Sequence, residues 1–434
     1  MDVLPLLPTG SRSADTAISS LLSEVDSFPI DHSVMPQERL DLVNRYRTSL
    51  FPWRGQFSPE LIELLLATYT AQGSVVADPF VGSGTTLFES ARRSLSSYGA
   101  EINPAAVVMA STAHFVHLPL VERKSLLQGA QAIIDHHVPP QRLEGLFSAL
   151  EEKHEADSLV SMPNAIKTML DEASTHPLIY NLLANTVIRF EESGKADDSQ
   201  AFLSAFKEHR AIVESLPYSR NPSRVFHCDA RKLPLDPGSV DFIVTSPPYM
   251  NVFNYHQNHR PAMELIGWDL LQVAKSEFGS NRKHRGNRFL TVVQYAIDML
   301  QALVEMRRII RLNGRVVIVV GRESTIRGVS LQNGRMVAAL ALGGAHLRLD
   351  LRQERKFKTK FGETIYEDIL HFVPGKRVEK PFDDLGHHLA HHILTEVLDK
   401  AETDVRDDIE EAIQQASQVN ASPYFSVAQS FRRH

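Results

Sequence analysis

The stretch VVADPFVGSGTTLFES, residues 75–90, leaves a chain of this kind few folds to choose from. Val75, Val76 and Ala77 read as a short apolar strand, Gly82 and Gly84 follow in a loop, and a helical pattern begins at Thr85. A second strand ends at Glu101, 17 residues beyond Gly84. Strand, glycine loop, helix and strand in that order form a βαβ unit of a parallel sheet. Glycines there let backbone approach a ligand, the helix N-terminus favours an anionic group, and an acid closing the second strand can accept from both ribose hydroxyls. The register points to a nucleoside-cofactor site, with a plain structural turn as the competing reading of two glycines alone. No Gly-Lys-Ser/Thr follows, which excludes a phosphate loop, and Leu87 stands where a dinucleotide fingerprint needs its third glycine.

The same rhythm organises the rest of the chain. Residues 1–35 lack periodicity and read as a loosely ordered leader, and residues 36–114 hold the first part of an α/β core. There Ser58 and Pro59 open a helix as N-cap and first helical residue. Residues 115–218 are helical throughout by apolar spacing and read as an insertion. Strand signals resume at Val225 and Val240, and the second part of the core extends over 219–375, with further strands at RVVIVVG, Ala345–Leu351 and Ile369–Phe372. Residues 376–434 read as an acidic helical tail.

At 434 residues and 43% hydrophobic content the chain can bury a full core. It has no run of about 18 apolar residues and no secretory pattern at its start, so a membrane is not expected and a cytoplasmic location is. The net charge of −6 is concentrated: eight acids and two bases lie between Glu396 and Glu411. Two basic clusters, Lys275–Arg288 and Arg348–Lys360, are candidates for nucleic acid or for solvated faces. One cysteine, Cys228, lacks a disulfide partner and zinc-site spacing; His387, His388, His391 and His392 have helical spacing but no evident third ligand, so no metal is expected.

A second motif, Ser246-Pro-Pro-Tyr249, ends the strand DFIVT. Two prolines remove two backbone donors, leaving neighbouring carbonyls without the partners that a turn would supply. Taken with Asp78-Pro-Phe-Val-Gly-Ser-Gly-Thr-Thr86, PWRGQFSPELI (52–62), EINPAA (101–106), CDARKLP (228–234) and NYHQNHR (254–260), it resembles the DNA amino-methyltransferases, which methylate exocyclic amines of bases with S-adenosylmethionine.

That resemblance implies a seven-stranded Rossmann-like methyltransferase sheet carrying a helical insertion. It implies a cofactor site made by Phe57, Ser58, Asp78, Pro79, Phe80, Gly82, Ser83, Gly84, Thr85, Thr86, Glu101, Asn103 and Asp229. The two loop glycines pass beneath the methionine moiety, Glu101 binds the ribose, Asp229 sits by the adenine, and Phe57 and Ser58 close the methionine end. Ser246, Pro247, Pro248 and Tyr249 become the catalytic motif. Ser246 Oγ and the Pro247 carbonyl accept the amine hydrogens while Tyr249 stacks on a base flipped out of double-stranded DNA.

Carbon-5 methylation of cytosine needs a cysteine nucleophile, and Cys228 lies on the cofactor side. Serine before the prolines favours N4 of cytosine over N6 of adenine within this family, and relatives acting on RNA amines or protein glutamine usually carry Asn or Asp there. A non-catalytic DNA-binding module that kept the fold is the alternative outside enzymes. The insertion falls between Glu101 and Asp229, which is not where this family usually carries its recognition domain, so a DNA-reading module, a dimerisation element and a clamp all stay open for it. Arg282, Lys283, Arg285 and Arg288 follow the catalytic motif and are the expected phosphate contacts. A cognate restriction endonuclease or defence-system protein is a further candidate partner.

Overall fold

The computed structural model describes residues 11–44, 46–53, 55–138, 161–195, 197–250, 254–279, 286–358, 362–375 and 384–431. Its centre is a seven-stranded sheet built from β1 (Val75–Asp78), β2 (Ser96–Glu101), β3 (Ser223–His227), β4 (Val240–Thr245), β5 (Ile310–Gly321), β8 (Leu347–Lys358) and β9 (Thr364–Pro374). The spatial order is β3-β2-β1-β4-β5-β9-β8, with β9 antiparallel to both neighbours and the strands from β3 to β5 parallel. This is the expected α/β sheet. Order reverses between β1 and β4, and ligands in such sheets bind beyond the carboxyl ends of the strands at that reversal.

The central strands are apolar on both sides because helices cover both faces. Val316, Ile318 and Val320 of β5 face a core shared with helix Leu290–Ile309, while Val317 and Val319 face helix Pro59–Tyr69. Ser58 is the N-cap of the latter helix by backbone conformation, but its hydroxyl makes no capping bond.

Four differences from the sequence reading have physical causes. Residues 1–35, expected as a loose leader, contain helix Ser11–Ser27, which buries Ile18, Leu21, Leu22 and Val25 in the main core. Four apolar residues on one face suffice once a partner surface exists. Strands β8 and β9 run well beyond the short apolar segments expected, because charged residues alternate along them and pair across the hairpin, as Arg355 does with Glu367. A small hairpin, β6 (Glu323–Ile326) and β7 (Val329–Gln332), was not anticipated; Arg327 and Gly328, both at positive φ, make its turn. The acidic tail is half core: Leu385, Leu389, Leu394, Val405 and Ile409 of helices Leu385–Leu398 and Thr403–Gln415 are buried.

In the segment read as an insertion, helices Leu120–His137, Met162–Glu172, Pro177–Glu192 and Ser199–Ser215 share one core with the helix that follows the glycine loop. Arg123 locks its two ends, donating to the carbonyls of Leu118, Val213, Leu216 and Pro217 from a buried position. The RLEGLFSALEEK segment lies outside the described residues.

Candidate active site

The glycine loop turns between β1 and helix Thr85–Arg92 with Gly82 at φ +51° and Gly84 at φ +96°. A side chain at Gly84 would meet Ala110 Cα at 2.9 Å, so that glycine is needed for packing as well as for its turn. Asp78, at the end of β1, is buried under the loop. Its Oδ1 accepts from Thr245 Oγ1 at 2.6 Å and its Oδ2 from Thr86 Oγ1 at 2.6 Å. Burial pushes its carboxyl up to about 6. Thr245 directly precedes Ser246, so Asp78 fastens the glycine loop to the root of Ser-Pro-Pro-Tyr.

Glu101 closes β2 with its carboxylate turned into the loop. Oε2 accepts from the Gly82 amide at 3.1 Å, and Oε1 from the Ile102 and Asn103 amides at 2.9 and 2.8 Å. Burial raises its pKa to about 7 against those three bonds, and the Glu277 carboxylate adds to the rise. A carboxylate offers about four acceptor sites, so one remains on Oε2.

One cavity of about 190 Å³ joins the two motifs. The loop contributes Pro79, Phe80, Gly82 and Thr85, and the end of β2 contributes Glu101 and Asn103. Ser246, Pro248 and Tyr249 line it from the end of β4, and Phe57 from the segment before the first core helix. Asp78, Ser83, Gly84, Thr86, Ser58 and Pro247 adjoin these residues in sequence and do not themselves line the cavity. Ser83 does indirect work, its Oγ donating to Gln56 Oε1 at 2.9 Å to hold the neighbouring segment.

Asp229 lines the cavity as expected, but its acceptor sites are taken. Oδ1 accepts from the Arg231 amide and Nε, and Oδ2 from Arg231 Nη2 and the Phe425 amide, at 2.7–3.1 Å. A carboxylate with four donors has its acceptor sites filled, so Asp229 anchors Arg231 as well as lining the cavity. Arg231 is buried and also reaches Asp298 Oδ1 at 3.0 Å and the Ser422 and Pro423 carbonyls at 2.8 and 3.0 Å. Its guanidinium lies over the rings of Phe278 and Tyr424. Neighbouring Cys228 has its thiol pushed up to about 12 by burial and by Asp229, so it stays protonated at neutral pH.

Several wall residues escaped the sequence reading. Trp53 packs beside Gly82 and stacks on His259, which bonds Glu191 at 3.0 Å and so joins the helical segment to the site. Phe278 meets Phe80 edge-on at 5.3 Å. Tyr249 donates to Glu367 Oε1, and burial together with that carboxylate holds its phenol well above the ordinary range. Trp53 and His259 fall inside the quoted motifs without a role read for them there, Phe278 lies in none, and the fold brings them together. Of the expected phosphate contacts, Arg288 is exposed and lines the cavity, while Arg282, Lys283 and Arg285 lie outside the described residues. In the second basic cluster Arg348, Arg352 and Arg355 are neutralised by Asp350, Asp368 and Glu367.

Residues 33–112 match the family model described as DNA methylase, of the N6 and N4 amino-methyltransferases. Over 55 residues the chain is 38% identical to the type II methyltransferase M.MjaII of Methanocaldococcus jannaschii, which is 13% of this chain and 10% of that protein. The chain thus spans about a tenth of the length of the curated relative it matches. Among solved structures, a SAM-dependent methyltransferase from Methanosarcina mazei aligns over 72% of this chain and 98% of its own at 11% identity, with a TM-score of 0.33. A TehB-like SAM-dependent methyltransferase from Corynebacterium glutamicum aligns over 72% and 86% at 10% identity, with a TM-score of 0.28. The fold rests on the strand order, to which scores of that size add nothing. The sequence match places the segment bearing the glycine loop with the DNA amino-methyltransferases, as the motifs suggested.

Proposed function

We propose that this chain is an S-adenosylmethionine-dependent DNA methyltransferase acting on the exocyclic N4 amine of a cytosine extruded from the duplex. The observation that carries the reading is the shared cavity: the glycine loop and Glu101 form one wall, and Ser246, Pro248 and Tyr249 another. A donor on the first wall faces an amine on the second. The DNA methylase match over 33–112 supplies the substrate class.

The residues present fit the cofactor. Glu101 keeps an acceptor site for ribose hydroxyls, Gly82 brings bare backbone to the cavity, and Phe80 and Phe278 offer apolar faces to an adenine ring. Bound there, S-adenosylmethionine supplies an electrophilic methyl group. The chain's own contribution is position. An exocyclic amine is a weak nucleophile because its lone pair is delocalised into the ring. Ser246 Oγ and the Pro247 carbonyl accept its two N–H bonds and favour a pyramidal nitrogen, while Tyr249 fixes the plane of the base. The base must leave the stack to reach them.

Serine in the first position of the motif favours cytosine, whereas the family match covers N6 and N4 enzymes alike. Expression in a host lacking DNA methylation, followed by modification-sensitive genome sequencing, tests the reading. N4-methylcytosine in one sequence motif is the expected result. N6-methyladenine moves the activity to the other amine, and an unmodified genome together with no heat on titrating S-adenosylmethionine points to a non-catalytic module.

A further inference from the structure

We propose that Trp53 is a cofactor-contacting residue of the cavity and that His259 is a positioning residue, through which the helical segment read as an insertion holds the indole in place. This rests on the methyltransferase reading above. Trp53 lines the cavity at 7% exposure, and a Cβ added at Gly82 would lie 3.2 Å from its Nε1. The indole therefore lies directly against the bare backbone that the loop offers a ligand. His259 stacks on the ring with centroids 6.3 Å apart and planes at 25°. Its Nδ1 is 3.0 Å from Glu191 Oε2 and its Nε2 3.7 Å from Glu192 Oε1, both on helix Pro177–Glu192. The same helix grips the chain just before the indole: Arg189 Nη2 donates to the Leu50 carbonyl at 3.1 Å, and its guanidinium lies over the Phe51 ring. Phe51 also meets His209 of helix Ser199–Ser215, with ring centroids 5.9 Å apart.

Two features of this contact work against stability. Glu191 and Glu192 stand in the last turn of their helix, where the dipole favours cations. His259 has φ +54°, a left-handed conformation that side chains rarely adopt. Both are accounted for if the ring they hold belongs to a binding wall, since strain kept at such a place fixes the geometry before the ligand arrives. The bond to Glu191 does not depend on the charge of the imidazole, because an Nδ1–H donates to the carboxylate from a neutral ring as from a cationic one. Of the roles open to the inserted helices, this is the clamp, and it acts on the cofactor end.

The test labels the full chain with fluorotryptophan, whose two signals belong to Trp53 and Trp268 and are assigned with Trp53→Phe. Saturating S-adenosylmethionine should move the Trp53 signal in fluorine NMR. A Trp53 signal that stays in place while calorimetry records binding overturns the contact. Glu191→Ala combined with Glu192→Ala should weaken S-adenosylmethionine about fivefold, the fold-change of one ordinary hydrogen bond. Urea unfolding of that variant should keep the wild-type midpoint, because acids at a helix C-terminus do not support the helix. Glu191→Gln combined with Glu192→Gln keeps an acceptor for Nδ1 and should bind like wild type. Unchanged affinity in the Ala pair, equal weakening in the Gln pair, or a loss of affinity matched by a lower midpoint would each overturn the clamp. A wild-type chain that gives no heat with S-adenosylmethionine overturns the methyltransferase reading itself, and the missing wild-type heat tells that result apart from failure of this inference.

Discussion

Tyr249 Oη donates to Glu367 Oε1 at 2.9 Å, so the ring proposed to meet the target base is tethered to the sheet through β9. Arg355 on β8 backs the carboxylate at 2.7 Å, and Gly321 at the end of β5 makes room, since a Cβ there would lie 2.9 Å from the ring. The tyrosine is therefore positioned from below by three strands.

Tyr249→Phe keeps the ring and loses the tether. A bond to a charged partner contributes about 1.5–3 kcal/mol, so methyl transfer should slow about tenfold or more. Tyr249→Ala should lose activity altogether, and Gly321→Ala should resemble the Ala variant by displacing the ring. All three should bind S-adenosylmethionine like wild type in calorimetry; a parallel loss of cofactor affinity would show that the two walls are not separable.

Cofactor affinity should depend on pH through Glu101. Its pKa is raised to about 7 in the free protein. A raised carboxyl contributes stability below its unfolded value, and that contribution is lost as pH rises through 7. Ribose binding needs the ionised form, so affinity runs the other way, strengthening by at most about tenfold per pH unit up to 7 and levelling above it. Glu101→Gln should bind weakly with a flat profile, and a wild-type profile without a break near 7 would contradict the assignment.

The Asp78 fastening predicts that two motifs fail together. Thr245→Val leaves a buried carboxylate short of one of its hydroxyl donors and should cost about 1–3 kcal/mol in urea unfolding. It should also lower both cofactor affinity and turnover. An effect on turnover alone would mean that the loop does not depend on β4.

Arg231→Ala strips the charge partner from Asp229 and Asp298. Breaking a buried pair costs about 3–5 kcal/mol, and limited proteolysis should then cut near Ser422–Phe425 at protease levels that leave wild type intact. Arg231→Lys cannot reproduce the planar fork and should be intermediate.

The sheet was legible because its central strands are apolar runs separated by helical periods, and the cofactor loop because its glycines and Glu101 stand at fixed offsets. The long β8–β9 pair was less so, since alternating charge looks like surface until a cross-strand partner neutralises it. Arg231 and His259 stand inside legible motifs that assign them no role, and Glu367 carries no local signal; each matters through a residue distant in sequence. Asp229 shows the opposite limit. Its motif was legible, but whether its oxygens face a ligand or an arginine depends on Arg231 two positions on and on Phe425 at the far end of the chain.

The Ser422 carbonyl that Arg231 grips lies 191 residues further along the chain. A nascent chain can therefore complete its sheet, its glycine loop and its Ser-Pro-Pro-Tyr turn on the ribosome and still lack the wall beside Cys228 and Asp229. The bracing of Arg231 and Asp229 is completed last, by a stretch of a few residues, and a polypeptide interrupted before that stretch should fold its sheet and leave both without those partners.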